Sequence, residues 1–193
     1  MQLALKHIRE LTPFARVLGS YQADGETTDE LCQALLARAT VNQPKAPIAS
    51  QALRILIVGF GNFGRFLAKE FSKRHTVYGT SVDHNAQQSE SEVCAQIGCT
   101  WVAWSDLEEF LIEQRVDVLL IATSIPSFEF VVGEFPKDAL RQSQALVVDV
   151  LSVKEFPRLV LLRELPEECD ILCTHPMFGP ESGKYGWDGF GFL

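Results

Sequence analysis

The chain has 193 residues, of which 47% are hydrophobic and 22% are charged, and its formal net charge at pH 7 is −8. This length suits one domain with a hydrophobic core plus an appendage, and the sequence contains no apolar run near the roughly 20 residues that a membrane span needs. The negative charge argues against broad binding to nucleic acid or to an anionic membrane, since both depend on a positive field. We therefore expect neither partner.

The cysteine pattern favours reduced core thiols over a metal site, because it contains neither a CxxC pair nor a dense disulfide framework. The N-terminus lacks the uninterrupted apolar segment of a secretion signal, and acidic residues within the first 30 argue against an ordinary transit peptide. The sequence by itself therefore predicts a cytoplasmic protein without a metal. The five cysteines are Cys32, Cys94, Cys99, Cys169 and Cys173.

The chain divides into three predicted regions. Residues 1–40 are expected to form a helical arm of two helices, the second beginning at a capping box of Thr27 and Glu30. Residues 41–52 carry two prolines and almost no charge, which is typical of a linker. Residues 53–193 form the main predicted domain.

Short aliphatic and β-branched runs alternate with helical segments from residue 53 onward, which is typical of parallel strands joined by crossover helices. This pattern predicts an α/β fold with a doubly wound, mostly parallel sheet of the Rossmann type. The predicted strands span 53–58, 76–80, 99–103, 116–122, 145–150 and 170–174.

Helices are predicted to start between these strands, and three of them open with a Ser-x-x-Glu capping box. The predicted starts are Asn62, Ser89, Ser105, Pro126 and Ser152, with boxes at Ser89/Glu92, Ser105/Glu108 and Ser152/Glu155.

The first predicted strand is followed by a GxGxxG motif that opens a helix. In this context Gly59 allows a tight turn, Gly61 lets the backbone approach a pyrophosphate, and Gly64 lets the helix pack closely on the strand. The helix N-terminus then faces the phosphates. The predicted cofactor-binding residues of this loop are Gly59, Phe60, Gly61, Asn62, Phe63 and Gly64.

The end of the second strand predicts which dinucleotide binds. A carboxylate there would hold the ribose diol of NAD, whereas a small polar residue suits the 2′-phosphate of NADP. If the strand ends at Thr80 or Ser81, a hydroxyl occupies this place and Asp83 lies beyond it, either as a ribose ligand or as a solvated turn residue. We therefore expect NADP, with Ser81 as a ligand and NAD as the alternative.

Ligands of open α/β sheets lie outside the carboxyl ends of the strands, so residues after three strands are candidates for binding and chemistry. Thr123 and Ser124, after the fourth strand, are predicted to bind the cofactor. His175, after the sixth, could accept a proton from a substrate hydroxyl. Ser152, after the fifth, either caps a helix or contacts substrate. Lys154 either attracts an anionic substrate or lies on the surface of a helix without binding a ligand.

Three stretches resemble the arogenate and prephenate dehydrogenases of tyrosine biosynthesis, and in particular their plant-type arogenate branch. They are VGFGNFGRFLA, DVLSVKEFP and DILCTHPMFGPESGKYGWDG. The resemblance covers about residues 53–191.

The resemblance implies NADP-dependent oxidative decarboxylation of arogenate to tyrosine. It places His175 as the proton acceptor and Ser152 as the residue that positions the reacting hydroxyl. We expect Lys154, Gly179 and Glu181 to contact the substrate. Plant-type members commonly have Ser-Arg after the second strand, so Val82 after Ser81 leaves the predicted 2′-phosphate site incomplete.

The resemblance also implies a longer protein. Family members continue beyond the region of residues 190–193 into an all-helical domain that completes the substrate pocket and forms a homodimer, so a C-terminally truncated chain is expected here. Plant-type relatives work in plastids, which makes a plastid the alternative to the cytoplasm.

Three other functions remain open on sequence grounds. Prephenate is the nearest alternative substrate. A non-catalytic nucleotide-binding module, acting as a sensor or pairing with a full-length subunit through residues 1–40, would bind dinucleotide without turnover. A Rossmann dehydrogenase of another hydroxy or amino acid would share only the glycine motif.

Overall fold

The computed structural model of the chain describes residues 52–83 and 87–183. The predicted helical arm, all but the last residue of the predicted linker, and Cys32 lie outside the described residues.

The described region is built on a parallel sheet of six strands in the order β3-β2-β1-β4-β5-β6. Each strand falls within a predicted range, and the predicted α/β class is confirmed. Strands β4 and β5 are buried along their whole length, as expected for parallel strands covered by helices on both faces. The strands are β1 (Arg54–Val58), β2 (Thr76–Thr80), β3 (Thr100–Trp101), β4 (Val118–Ile121), β5 (Leu146–Asp149) and β6 (Ile171–Cys173).

Six α-helices connect the strands of the described region, and a short 3₁₀ turn over Trp104–Asp106 precedes the third. The sequence predicts one helix between β4 and β5, but the structure has two. Pro136 separates them, because proline lacks an N–H and disfavours helical backbone at the residue before it. The helices are α1 (Asn62–Phe71), α2 (Gln87–Ile97), α3 (Leu107–Glu113), α4 (Ile125–Gly133), α5 (Lys137–Ser143) and α6 (Glu155–Glu164).

The three predicted capping boxes are wrong. Helix α2 begins at Gln87, so Ser89 already lies inside it. The Ser105 hydroxyl donates to the Asp106 carboxylate at 2.7 Å instead of capping α3. Helix α6 begins only at Glu155 with Lys154 at the N-cap, and no side chain caps it. In each case the backbone enters the helix at a different residue from the one that the local motif favours.

The core lies on both faces of the sheet. In β1, Leu56 and Val58 join the buried cluster formed with α3–α6, whereas Ile57 lies beneath α1, as the alternation of side chains along a strand requires. Phe128 of α4 is the largest of the described side chains that are fully excluded from solvent. Burying such a side chain contributes about 1.5–3 kcal/mol.

The described thiols lie where core cysteines were predicted: Cys94, Cys99 and Cys169 are buried and Cys173 is half-buried, and none of these four forms a disulfide. Among the described residues, no helix is both long enough and apolar enough to cross a membrane.

Candidate dinucleotide-binding and active site

The glycine loop lies at the point where the strand order reverses, between β1 and its two neighbours β2 and β4. Gly59 has φ +93°, a conformation that favours glycine, and its N–H donates to the carbonyl of Thr80 at 3.0 Å. A Cβ at Gly59 would lie 2.8 Å from the amide nitrogen of Thr123. The turn therefore requires glycine both for its backbone angles and for its contact with the loop after β4.

Gly61 differs from its neighbours because a Cβ placed there would meet nothing within 4 Å. It is the N-cap of α1, and no side chain of residues 52–83 and 87–183 caps that helix. Among the described residues, therefore, no side chain accepts a hydrogen bond at the start of α1, and space is open beside the Gly61 Cα. A helix N-terminus of this kind attracts an anion through its free N–H groups and its dipole.

The other predicted loop ligands occupy different surroundings. Asn62 is exposed at the start of α1. The ring of Phe60 is buried and stacks edge-on against Trp101, with ring centroids 5.5 Å apart, so only its backbone borders the loop surface. Phe63 packs against Phe66 and Phe178, with ring centroids at 6.0 and 6.4 Å. These three rings tie α1 to the segment after β6.

Strand β2 ends at Thr80. This agrees with the prediction that a hydroxyl residue, and not a carboxylate, lies at the end of the second strand. Thr80 is fully buried, and its hydroxyl has no hydrogen-bond partner in the described part of the chain. Ser81 is half-buried, and its hydroxyl accepts a hydrogen bond from the N–H of Asp83 at 3.3 Å. Asp83 is exposed beyond the strand end.

An ion pair that is not among the predicted site residues borders the same end of the sheet. Arg65, the residue after the GxGxxG motif, donates from Nη2 to the Glu90 carboxylate on α2 and from Nε to the Phe60 carbonyl at 2.9 Å. Glu90 is buried, and its other oxygen, Oε2, accepts no hydrogen bond from the described residues. Spacing along the chain does not reveal the pair of Arg65 and Glu90, because the two residues meet only where α1 and α2 lie side by side.

The loop after β4 faces the glycine loop. The Thr123 hydroxyl is buried and has no partner among the described residues. The Ser124 and Ser127 hydroxyls hydrogen-bond to each other at 2.8 Å. Ser124 is the N-cap of α4, but its side chain makes no capping bond.

The ends of β5 and β6 are linked by a buried carboxylate. Asp149, the last residue of β5, is fully buried and pairs in register with Cys173 of β6. The Lys154 ammonium lies 2.5 Å from its Oδ1 and also donates to the carbonyl of Thr174. Ser152, which lies between Asp149 and Lys154 in the sequence, is exposed. Asp149 is not among the site residues predicted from the sequence, although a charged residue that ends an apolar run is a signal for such a position.

The neighbouring carboxylate changes the chemistry of Cys173. Burial, the negative charge of Asp149 and a hydrogen bond to it together raise the pKa of the Cys173 thiol to about 12. The thiol therefore stays protonated at neutral pH.

The segment after β6 carries His175, which is half-buried, and then Pro176, which is buried. Gly179 donates its N–H to the Ser182 hydroxyl at 2.9 Å, and a Cβ at Gly179 would meet nothing within 4 Å. Glu181 is exposed. The fold thus places the predicted residues Ser152, Lys154 and His175 after two adjacent strands at the edge that carries the glycine loop.

A glycine loop at the switch point of a parallel six-stranded sheet defines a dinucleotide-binding domain of the Rossmann type. The family described as "Prephenate dehydrogenase, nucleotide-binding domain" matches residues 63–188. The chain therefore belongs to this family, which confirms the family predicted from its motifs.

Two similar relatives are proteins of Arabidopsis thaliana. Arogenate dehydrogenase 2, chloroplastic, is 46% identical over 144 residues, which cover 75% of this chain and 38% of that protein. Arogenate dehydrogenase 1, chloroplastic, is 48% identical over 142 residues, which cover 73% of this chain and 21% of that protein. The chain thus spans well under half the length of either relative.

Among solved structures, the prephenate dehydrogenase from Aquifex aeolicus has a TM-score of 0.50 and 22% identity, over 68% of this chain and 46% of that one. At this identity the likeness bears on the fold alone.

Proposed function

We propose that this chain is the cofactor-binding part of an NADP-dependent arogenate dehydrogenase, which converts arogenate to tyrosine by oxidative decarboxylation. The observation that carries the proposal is the identity to two arogenate dehydrogenases, 46% over 144 residues and 48% over 142 residues of this chain. The whole reaction is assigned by this similarity, and the geometry of the strand ends supports the roles of the individual residues.

A dinucleotide fits the glycine loop. The open space at Gly61 is where a pyrophosphate would approach the backbone, and the uncapped amides of α1 would donate to its oxygens. Thr123 and Ser124 border the same loop and would contact the nicotinamide half of the cofactor. When bound, the dinucleotide supplies the hydride acceptor.

The preference for NADP is proposed from the end of β2. This strand ends at Thr80, so the hydroxyl of Ser81 follows it where a carboxylate would favour NAD. A hydroxyl donates to a 2′-phosphate, whereas a carboxylate at that position would repel it.

We assign the proton transfer to His175. Its imidazole would accept the proton of the ring hydroxyl while hydride leaves the same carbon, and Ser152 would orient that hydroxyl. Loss of the ring carboxylate as carbon dioxide leaves its electron pair in the ring, which becomes aromatic. The proton held by His175 then returns to the phenolate oxygen, so atoms and charges balance.

Gly179 and Glu181, which lie at the same edge of the sheet, are proposed to contact the substrate. Other parts of the proposal concern the whole protein. In the longer protein that the resemblance implies, an all-helical domain would complete the pocket and form a homodimer. Because both Arabidopsis relatives are named as chloroplastic, we propose a plastid location.

Two measurements test the proposal. Calorimetry with NADP and NAD should give the tighter binding for NADP; absence of dinucleotide binding would overturn the proposal, and tighter NAD binding would overturn the cofactor assignment. Absorbance at 340 nm with each dinucleotide and either arogenate or prephenate should rise with arogenate and NADP. A rise with prephenate alone would make this a prephenate dehydrogenase. NADP binding without reduction would mean a cofactor domain that lacks the rest of its active site, or a non-catalytic module.

A further inference from the structure

We infer that Asp149 and Lys154 form a latch that fixes the backbone next to Ser152 and His175, and that Lys154 is a positioning residue. The inference rests on the proposed function for its catalytic consequence, but the latch itself is defined by contacts within the chain. It is distinct from the predicted role of Lys154 as a substrate ligand.

The first half of the latch fixes the residue before Ser152. Asp149 is fully buried, and its Oδ1 accepts hydrogen bonds from the N–H of Leu151 at 3.0 Å and from the Lys154 ammonium at 2.5 Å. The carboxylate therefore folds the chain back on itself directly after β5. Ser152 follows Leu151, so its position depends on this turn.

The second half fixes the residue before His175. The Lys154 ammonium donates to the Thr174 carbonyl, while the Thr174 N–H and hydroxyl donate to the carbonyl of Asp149 at 3.0 and 2.7 Å. The N–H and hydroxyl of Thr174 are thus bound to Asp149 at the end of β5, and its carbonyl is bound to Lys154. His175 is the next residue, and Pro176 restricts its backbone to extended conformations.

These bonds leave the Lys154 ammonium little capacity to bind a ligand. An ammonium group has three donors, and two of them already point to Asp149 and Thr174. The positive charge is also matched by a carboxylate that has no access to water. A group held in this way orients its neighbours, and it attracts a substrate anion weakly.

The test must separate lost positioning from lost folding. Removing Lys154 alone leaves a buried carboxylate without its partner, which is strongly destabilising. We therefore pair Lys154→Met with the double variant Asp149→Asn/Lys154→Met, which removes both charges. Lys137→Met is the matched control, because Lys137 also donates to a backbone carbonyl, that of Val132 at 2.7 Å, but away from both strand ends.

Amide hydrogen exchange, measured for each residue by NMR, reports directly on the hydrogen bonds of the latch. In both Lys154 variants the exchange rates of Leu151 and Thr174, whose N–H groups donate to Asp149, should rise about tenfold or more, since the charged bonds of Lys154 that hold this turn are lost. In the double variant, which leaves no unpaired buried charge, exchange in β1 and β2 and the Kd for NADP should stay within about twofold of the parent values. Lys154→Arg, which can still donate to both acceptors, should restore most of the protection.

Turnover gives the second readout. Misplaced catalytic groups should lower kcat for arogenate about 100-fold in the double variant, with KM changed much less. A raised KM at unchanged kcat would overturn the inference and make Lys154 a substrate ligand. So would unchanged exchange at Leu151 and Thr174, or an increase that Lys137→Met reproduces. Absence of turnover in the parent chain would count only against activity of this part of the protein by itself, and the exchange readout would still test the latch because it needs no substrate.

Discussion

Gly64 lies so close to Gly59 that a Cβ at Gly64 would stand 2.1 Å from the Gly59 carbonyl oxygen. The obstacle is backbone and has no flexible side chain that could move aside. The start of α1 and the turn before it are therefore packed against each other, with hydrogen as the only side chain that fits. This contact sets the distance at which the loop crosses the end of β1.

Gly64→Ala should destabilise the domain by about 1–3 kcal/mol, because the added methyl group must push the loop away from α1. Chemical denaturation measures the free energy of unfolding. Gly133→Ala is the matched control, since a Cβ at that helical glycine meets nothing within 4 Å, and it should stabilise the protein by about 0.5–1 kcal/mol. Equal effects of the two changes would contradict the close packing.

Gly61→Ala should separate binding from folding. A Cβ there has open space within the described chain, so the free energy of unfolding should change by less than about 1 kcal/mol. The same methyl group would occupy the path of the pyrophosphate, and the Kd for NADP should rise about tenfold or more. Calorimetry checks this, with Gly179→Ala as an open-space glycine whose replacement should leave NADP affinity unchanged. Unaltered affinity in Gly61→Ala would place the phosphates elsewhere.

His75 should make stability depend on pH. Burial, and secondarily the charge of Arg74, lower the pKa of His75 below 6.5, and its Nδ1 accepts a hydrogen bond from the Leu53 N–H at 3.2 Å. The unfolded chain therefore takes up this proton at a higher pH than the folded one. The stabilisation is fully present above pH 6.5 and is lost as the pH falls through and below that value.

Urea unfolding at a series of pH values between about 7.5 and 5 measures this dependence. His75→Gln should flatten the profile in the acidic part of the range, because it removes the group that the unfolded state protonates first. An unchanged profile would mean that other groups carry the acid dependence.

Cys173 should react slowly with iodoacetamide at pH 8, because only the thiolate is nucleophilic and its pKa is raised to about 12. Asp149→Asn removes the negative charge that opposes ionisation while Lys154 remains nearby. The midpoint of the rate profile against pH should then move to lower pH. Mass spectrometry follows the labelling of this residue, and the buried Cys169 is the internal control for general loosening. A midpoint that does not move would show that burial alone sets the pKa.

The sequence predicts most of the sheet because parallel strands buried on both faces must be continuous apolar runs. Strand β2 starts and ends at the predicted residues, and the other five strands lie inside their predicted ranges. Helix starts are predicted less well. Ser89, Ser105 and Ser152 sit in capping motifs that the structure does not use, because packing against the sheet decides where each helix begins.

The sequence by itself therefore determined the fold class, the glycine loop and its family, since each depends on residue types at fixed short spacing. Gly59 and Gly64 could be recognised from the motif, and Ser152 and His175 from their places after strands. Only the tertiary structure decided which distant residues meet. The bonds from Lys154 to Asp149 and Thr174, and the packing of Phe178 on Phe63, join parts of the chain that a linear pattern leaves independent. Such contacts arise when neighbouring strands and the helices over them are packed together, so their partners are set by the register of the sheet.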